Sequence, residues 1–142
     1  MISLLTGIDS TASALDAERI RMDVISENIA NVDTTKGLDG KPYQRQQVVF
    51  ESVLNAQQSG ANGAVPQTTQ VVRIDKDTRE PRMVYNPSHP DADSQGMVAM
   101  PNINIHEEMV DMIASSRSYE ANLAVVKNAR TMAMQDLSIG KH

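Results

Sequence analysis

Apolar residues recur at intervals of seven at both ends of this chain. Ile8, Leu15, Met22 and Ile29 stand seven apart, with Leu4, Ile25 and Val32 at the intermediate spacing. A seven-residue apolar repeat keeps one narrow stripe of a helix turned toward one partner, so it specifies a long seamed helix. The spacing predicts a helix over residues 8–33. Toward the C-terminus, Met109, Leu123 and Leu137 hold one heptad position, interrupted by Ser116 and Arg130. Met112, Tyr119, Val126 and Ala133 hold the other. Asn104, three residues before Glu107, supplies an N-cap with a capping-box partner, and Gly140 a stop. A helix of about 33 residues reaches roughly 50 Å.

Two seamed helices in one chain should pack on each other as an antiparallel pair. Ile20, Val24, Ile113, Val125, Met132 and Met134 lie outside a single seam, and a two-helix pair cannot cover apolar faces that wide. The composition points the same way. Aromatics are 3% of residues, with three Tyr, one Phe and no Trp, so nine Met and many Ala and Val must fill whatever core exists. Such a chain builds thin helical layers and completes its burial against partners.

The middle has a different texture. Residues 43–53, 68–75, 81–86 and 96–100 are short β-branched runs separated by turn formers. Residues 55–67 are rich in Gln, Gly and Asn and read as a mobile loop. The expected fold is therefore mainly α. Long N- and C-terminal helices pack as a coiled-coil-like pair, with a small irregular β-hairpin or meander between them. Three segments follow: a helical core segment at 1–34, an extended or β middle at 35–101, and a second helical core segment at 102–142.

Several functions are excluded or disfavoured. Net charge is −5, and residues 1–33 carry Asp9, Asp16, Glu18, Asp23, Glu27 and Asp33 against Arg19 and Arg21. That is the wrong sign for nucleic acid and for the polar face of a membrane-surface helix. No stretch approaches the ~20 apolar residues of a membrane span. The start, "MISLLTGIDS", has no basic region or apolar run of signal length, so export, if it occurs, is expected without a cleaved signal. There is no Cys, hence no disulfide or thiolate chemistry. "DADSQG" at 91–96 matches half of a calcium loop, but Asn102 stands where a bidentate Glu is required. It reads as a solvated turn. "HEEMV" at 106–110 has Val110 in place of the second His of a zinc motif. Glu107 and Glu108 read as favourable charge on a first helical turn. No cofactor, metal, small-molecule substrate or catalytic residue is expected.

Two stretches carry more information. In "SENIANVDTT" (26–35), Asn28, Asn31 and the threonines run beside Ile29 and Val32, which continue the apolar spacing. An amide beside a seam favours the register that pairs it, so Asn28 and Asn31 are expected to fix where the helix stops and how neighbouring chains align. In "IASSRSYEANLAV" (113–125), Ala114, Ser115, Ser116 and Ser118 permit close approach of another helix. Arg117, Tyr119 and Asn122 then offer polar contacts to a neighbouring subunit; the plainer reading is a solvated face.

"SENIANVDTT" followed by "PYQRQQVVF" (42–50) resembles the N-terminal signature of flagellar rod and hook axial proteins. There an element built on Asn-Ala-Asn, followed by Thr, closes the first helix. "VYNPSHPDADSQGMVAMPNINIHEEMVDMIASSRSYEANLAVVKNARTM" (84–132) resembles, more specifically, the short proximal-rod members. The likeness spans nearly the whole chain outside 55–80. Asp33 and "TKGLDGK" (35–41) depart from the wider family, whose members pass directly from Thr to Gly-Tyr. The resemblance implies a structural protein exported through the flagellar type III apparatus. It would assemble with other rod proteins and further copies of itself into a helical, torque-transmitting shaft in the periplasm. Its terminal helices would wall the export channel. The subunit-interface residues expected on this basis are Ile8, Leu15, Met22, Ile25, Asn28, Ile29, Asn31 and Val32 on the first helix. On the second they are Met109, Met112, Arg117, Tyr119, Asn122, Leu123, Val126 and Leu137. The alternative is a self-contained helical-hairpin adaptor or chaperone that binds another protein.

Overall fold

The computed structural model describes residues 2–37, 39–54 and 67–139. The chain runs α1 (Ile2–Ala30), β1 (Gln46–Leu54), β2 (Gln67–Lys76), β3 (Arg82–Tyr85), β4 (Met97–Met100) and α2 (Ile105–Ile139). It is mainly α with a small β part, as the heptads and short β-branched runs predict. The first helix begins earlier and stops sooner than the expected 8–33. Its last turn is closed by Asn31, whose side-chain amide donates to the Glu27 carbonyl at 2.9 Å and whose Oδ1 accepts from Thr34 at 3.1 Å. Asn31 is thus the local stop of α1. The expected loop at 55–67 lies outside the described residues up to 66, and so does the expected stop at Gly140.

The helices are antiparallel. Ser115 on α2 donates to the Glu18 carboxylate at 2.5 Å, and Asn28 donates to Glu108 at 3.0 Å, so α1 ascends as α2 descends. With 29 and 35 residues the helices are about 43 and 52 Å long. Asn104 caps α2 as predicted: its Oδ1 accepts from the His106 amide and its Nδ2 donates to Glu107, both at 3.1 Å.

The strands form two separate antiparallel pairs, not one meander. The β1–β2 ribbon packs along α1. Val49 faces Arg73 while Phe50 faces Val71, so Val72 is the extra residue of a bulge that sharpens the ribbon's twist. Between α1 and β1 the segment 34–43 folds back on itself, with Gly37 donating to the Lys41 carbonyl at 2.8 Å and Tyr43 to Thr34 at 3.1 Å. These bonds bring the chain back to the end of α1.

The β3–β4 turn depends on Gly96, at φ +76°, where a Cβ would stand 3.0 Å from the Tyr85 ring and 3.1 Å from Pro87. Gly96→Ala is expected to cost about 1–2 kcal/mol from the left-handed backbone alone, read as a lower urea midpoint with an unchanged slope.

Apolar burial is thin. Among the residues whose side chains are described, Ala17, Val24, Ile25, Val98, Pro101 and Ile103 form the buried apolar set. Small residues mark where the helices approach closely: Ala17 on α1 is buried, and so is Ser115 on α2. The small-residue window of the second helix thus serves, at Ser115, the chain's own helix pair.

Candidate functional site

Two features of the surface and its supports could serve a function: a buried polar knot and an uncovered helix face. The knot joins α1, β1 and α2. Asn28, 1% exposed, uses both ends of its amide. Its Nδ2 donates to the Gln46 carbonyl at 2.8 Å and to Glu108 at 3.0 Å. Its Oδ1 accepts from the Gln46 amide at 2.9 Å and from the Tyr43 hydroxyl at 3.2 Å. Glu108 is fully buried and accepts from Arg45 Nε at 2.6 Å. A buried carboxylate is tolerable only when paired and hydrogen-bonded, and the knot supplies both. Burial, together with the negative charge of Glu27 and Glu108, pushes the Tyr43 phenol above its ordinary value. Among the described residues no buried side-chain N or O lacks a partner. The adjoining cleft, about 290 Å³, is lined in part by Arg21, Arg45, Phe50, Glu108 and Asp111.

The knot revises two expectations. Glu108 does lie in the first turn of α2, as expected, but its role extends beyond the helix dipole, since it is buried and ion-paired to Arg45. Asn28 and Ile25, at 1% and 5% exposure, have no surface left to offer a second chain. Asn28 sets register, but between parts of its own chain. Nothing in "HEEMV" separates Glu107 from Glu108 by type. Only the α-helical phase, once α1 is placed, turns one outward and the other inward.

A second polar tie secures the end of the same motif. Thr35 donates to Asp91 at 2.8 Å, and Lys36 reaches it at 3.5 Å. The Thr35 hydrogen bond, ahead of Lys36, holds the Asp91 carboxyl below its ordinary range. The turn at 91–96 keeps Asp93, Ser94 and Gln95 exposed, as expected, while Asp91 fastens its start to Thr35 and Lys36.

The uncovered face lies on α2. Met109, Val110 and Ile113 are 52%, 65% and 54% exposed, and Val125, Met132 and Met134 are 53%, 57% and 54% exposed. Half of the predicted α2 seam faces α1: Met112, Tyr119, Val126 and Ala133 are half-buried. The other half does not behave as predicted. The positions that complete the inward seam are Glu108, Ser115, Asn122 and Ala129, all buried or half-buried, whereas Met109 points outward. Leu123 is half-buried beside that seam and Arg117 is exposed. The side chain of Leu137 lies outside the described residues. On α1, Ile8, Leu15, Met22, Ile29, Asn31 and Val32 are all half-buried, each leaving part of its surface uncovered.

Comparison with known proteins places this architecture. Residues 8–37 match the family described as "Flagella basal body rod protein", and residues 94–139 match "Flagellar basal body rod FlgEFG protein C-terminal". The chain is 42% identical to the flagellar basal-body rod protein FlgC of Bacillus subtilis, across 94% of this chain and 96% of that one. It is 40% identical to the FlgC of Borreliella burgdorferi, over 97% and 98% of the two chains. With the FlgC of Salmonella typhimurium it shares 36% identity over 99% and 100%.

Proposed function

The chain belongs to the FlgC family of flagellar basal-body rod proteins, and we propose that it builds the proximal part of the rod by helical assembly through its terminal helices. It is a structural subunit of the basal body rod. The observation that carries the mode of assembly is the outward face of α2, where Val110, at 65% exposure, and Ile113, at 54%, have no cover from the chain itself. Contiguous exposed apolar side chains on a long helix mark a protein contact. A chain with so small an apolar core gains its remaining burial from neighbours.

In this reading segments 1–34 and 102–142 pack, coiled-coil-like, with other rod proteins and further copies, and wall the export channel. Segment 35–101 lies outside them. The half-buried seam residues Ile8, Leu15, Met22, Ile29 and Val32 join Met109, Arg117 and Leu123 at subunit contacts. Ile25 and Asn28 act beneath that surface by holding its shape. Asn31 ends α1, while Met112, Tyr119, Asn122 and Val126 share their surface between α1 and a neighbour. The subunit reaches the periplasm through the type III export apparatus. Torque passes through close-packed helices, which compress little. The role is mechanical, with no bond made or broken.

Ile113→Asp tests this directly. The site is exposed, so the isolated variant is expected to keep its unfolding midpoint within about 0.5 kcal/mol of the parent. In a motile bacterium lacking its own FlgC, the parent chain should restore swimming and the variant should not. Full swimming with the variant would remove the α2 face from the assembly.

A further inference from the structure

Asp9, Asp16, Asp23 and Ala30 stand seven apart on α1 and are all exposed. Heptad spacing puts them on one face, directed away from buried Ala17 and Val24. Asp16 is paired with Arg19 at 2.8 Å, while Asp9 and Asp23 make no ion pair among the described residues. On α2, Val110, Arg117, Ala124 and Thr131 are likewise seven apart and exposed. Arg117 has no ion-pair partner among the described residues. One stripe is acidic with a small residue at its end. The other is apolar and small, with a single central cation and Lys127 beside it.

We infer that these two stripes meet between copies: α1 of one chain lies antiparallel against the outward face of α2 of a second copy, with Asp23 opposite Arg117. The inference rests on the rod reading for copies being neighbours at all; the register comes from the residues. With Asp23 opposite Arg117, Ala30 falls opposite Val110, apolar against apolar. Asp16 falls opposite small Ala124, and Asp9 opposite Thr131, with Lys127 within reach of both acids. Sliding by one heptad would set Arg117 against Asp16, but would press Asp23 onto Val110, which is 65% exposed and apolar. That juxtaposition desolvates a carboxylate without a partner.

The register also fixes a stagger. Within one chain Glu18 is level with Ser115 and Asn28 with Glu108. Between copies Asp23 level with Arg117 displaces the second chain along the helix axis by roughly 6–10 Å at 1.5 Å per residue. A contact between two different faces with an axial step cannot close into a ring, so it propagates as a helix.

The chain has no Cys, which makes single introduced cysteines clean reporters. Full-length Asp23→Cys is mixed with Arg117→Cys and treated with a short bis-maleimide. The same is done with Asp9→Cys and Thr131→Cys, and with the out-of-register pair Asp9→Cys and Arg117→Cys, which sits about 21 Å apart along the axis. Cross-linked heterodimers are expected in the first two mixtures and not in the third. Equal yield in all three, no yield, or a chain that stays monomeric overturns the inference. As a second measurement, Asp23→Arg should weaken self-association about tenfold or more through like charge, and mixing it with Arg117→Asp should restore it. Absence of that rescue also overturns it. The swimming test of the parent chain is independent of these readouts, so loss of this register and loss of the rod reading give different results.

Discussion

Glu108→Ala should be the most damaging single truncation in the protein, lowering stability by about 3–5 kcal/mol. The carboxylate is fully buried, is held by Arg45 at 2.6 Å and Asn28 at 3.0 Å, and ties the first turn of α2 to α1 and β1. Removing it leaves the Arg45 guanidinium, whose side chain is only 19% exposed, with just a long 3.9 Å contact to the partly exposed Asp111. It also leaves one Asn28 N–H without an acceptor. A buried cation without its partner is what makes half of an ion pair costlier to delete than the whole. The double variant Arg45→Met, Glu108→Leu should therefore be more stable than Glu108→Ala alone. Urea unfolding of the two single variants and the double supplies the coupling. A loss below about 1 kcal/mol in Glu108→Ala would mean that the knot is open in solution.

The helices and the strand positions are legible in the sequence because periodicity survives without partners. Met112, Tyr119, Val126 and Ala133 face α1 as their spacing requires. The other half of the seam is not legible, for a physical reason. α2 carries apolar residues on two faces, and periodicity cannot say which faces its own chain and which faces another. Met109 fits the heptad as well as Ser115 does. The structure buries Ser115 against Glu18 and leaves Met109 52% exposed, because close helix approach favours the smaller residue. Glu108 was invisible for a related reason: a Glu in a first helical turn has a sufficient local explanation in the helix dipole. Its true partners, Arg45 and Asn28, lie 63 and 80 residues away. In the "SENIANVDTT" motif the amides and threonines predict both a helix stop and an alignment between chains, and the structure shows the stop at Asn31. Asn28 pairs within the chain, Asn31 closes the helix, and Thr35 holds Asp91. The pairing of β3 with β4 is hard to read because the return at 86–96 is held largely by backbone-to-backbone bonds.

Asn28→Asp probes the same knot by charge, with almost no change in shape. The wild-type amide presents a donor to two acceptors, the Gln46 carbonyl at 2.8 Å and Glu108 at 3.0 Å. An aspartate turns both contacts into acceptor against acceptor and places a second carboxylate beside a buried one. Arg45 cannot neutralise both, since its Nε is already committed to Glu108. At neutral pH the variant should lose several kcal/mol, on the order of a broken buried polar network. The pH dependence distinguishes this cause from simple misfit. In acid, one proton can sit between the two carboxyl groups and convert the clash into a hydrogen bond. The folded variant then holds a proton more tightly than its unfolded chain does. Its deficit should therefore be smallest in acid and grow as pH rises through that proton's release. The isosteric Asn28→Leu variant has no proton to gain, so its deficit should stay flat over the same range. Thermal unfolding of both variants between acid and neutral pH reads the difference. Parallel curves for the two would place the Asn28 side chain outside the knot and return it to the surface role its sequence context suggests.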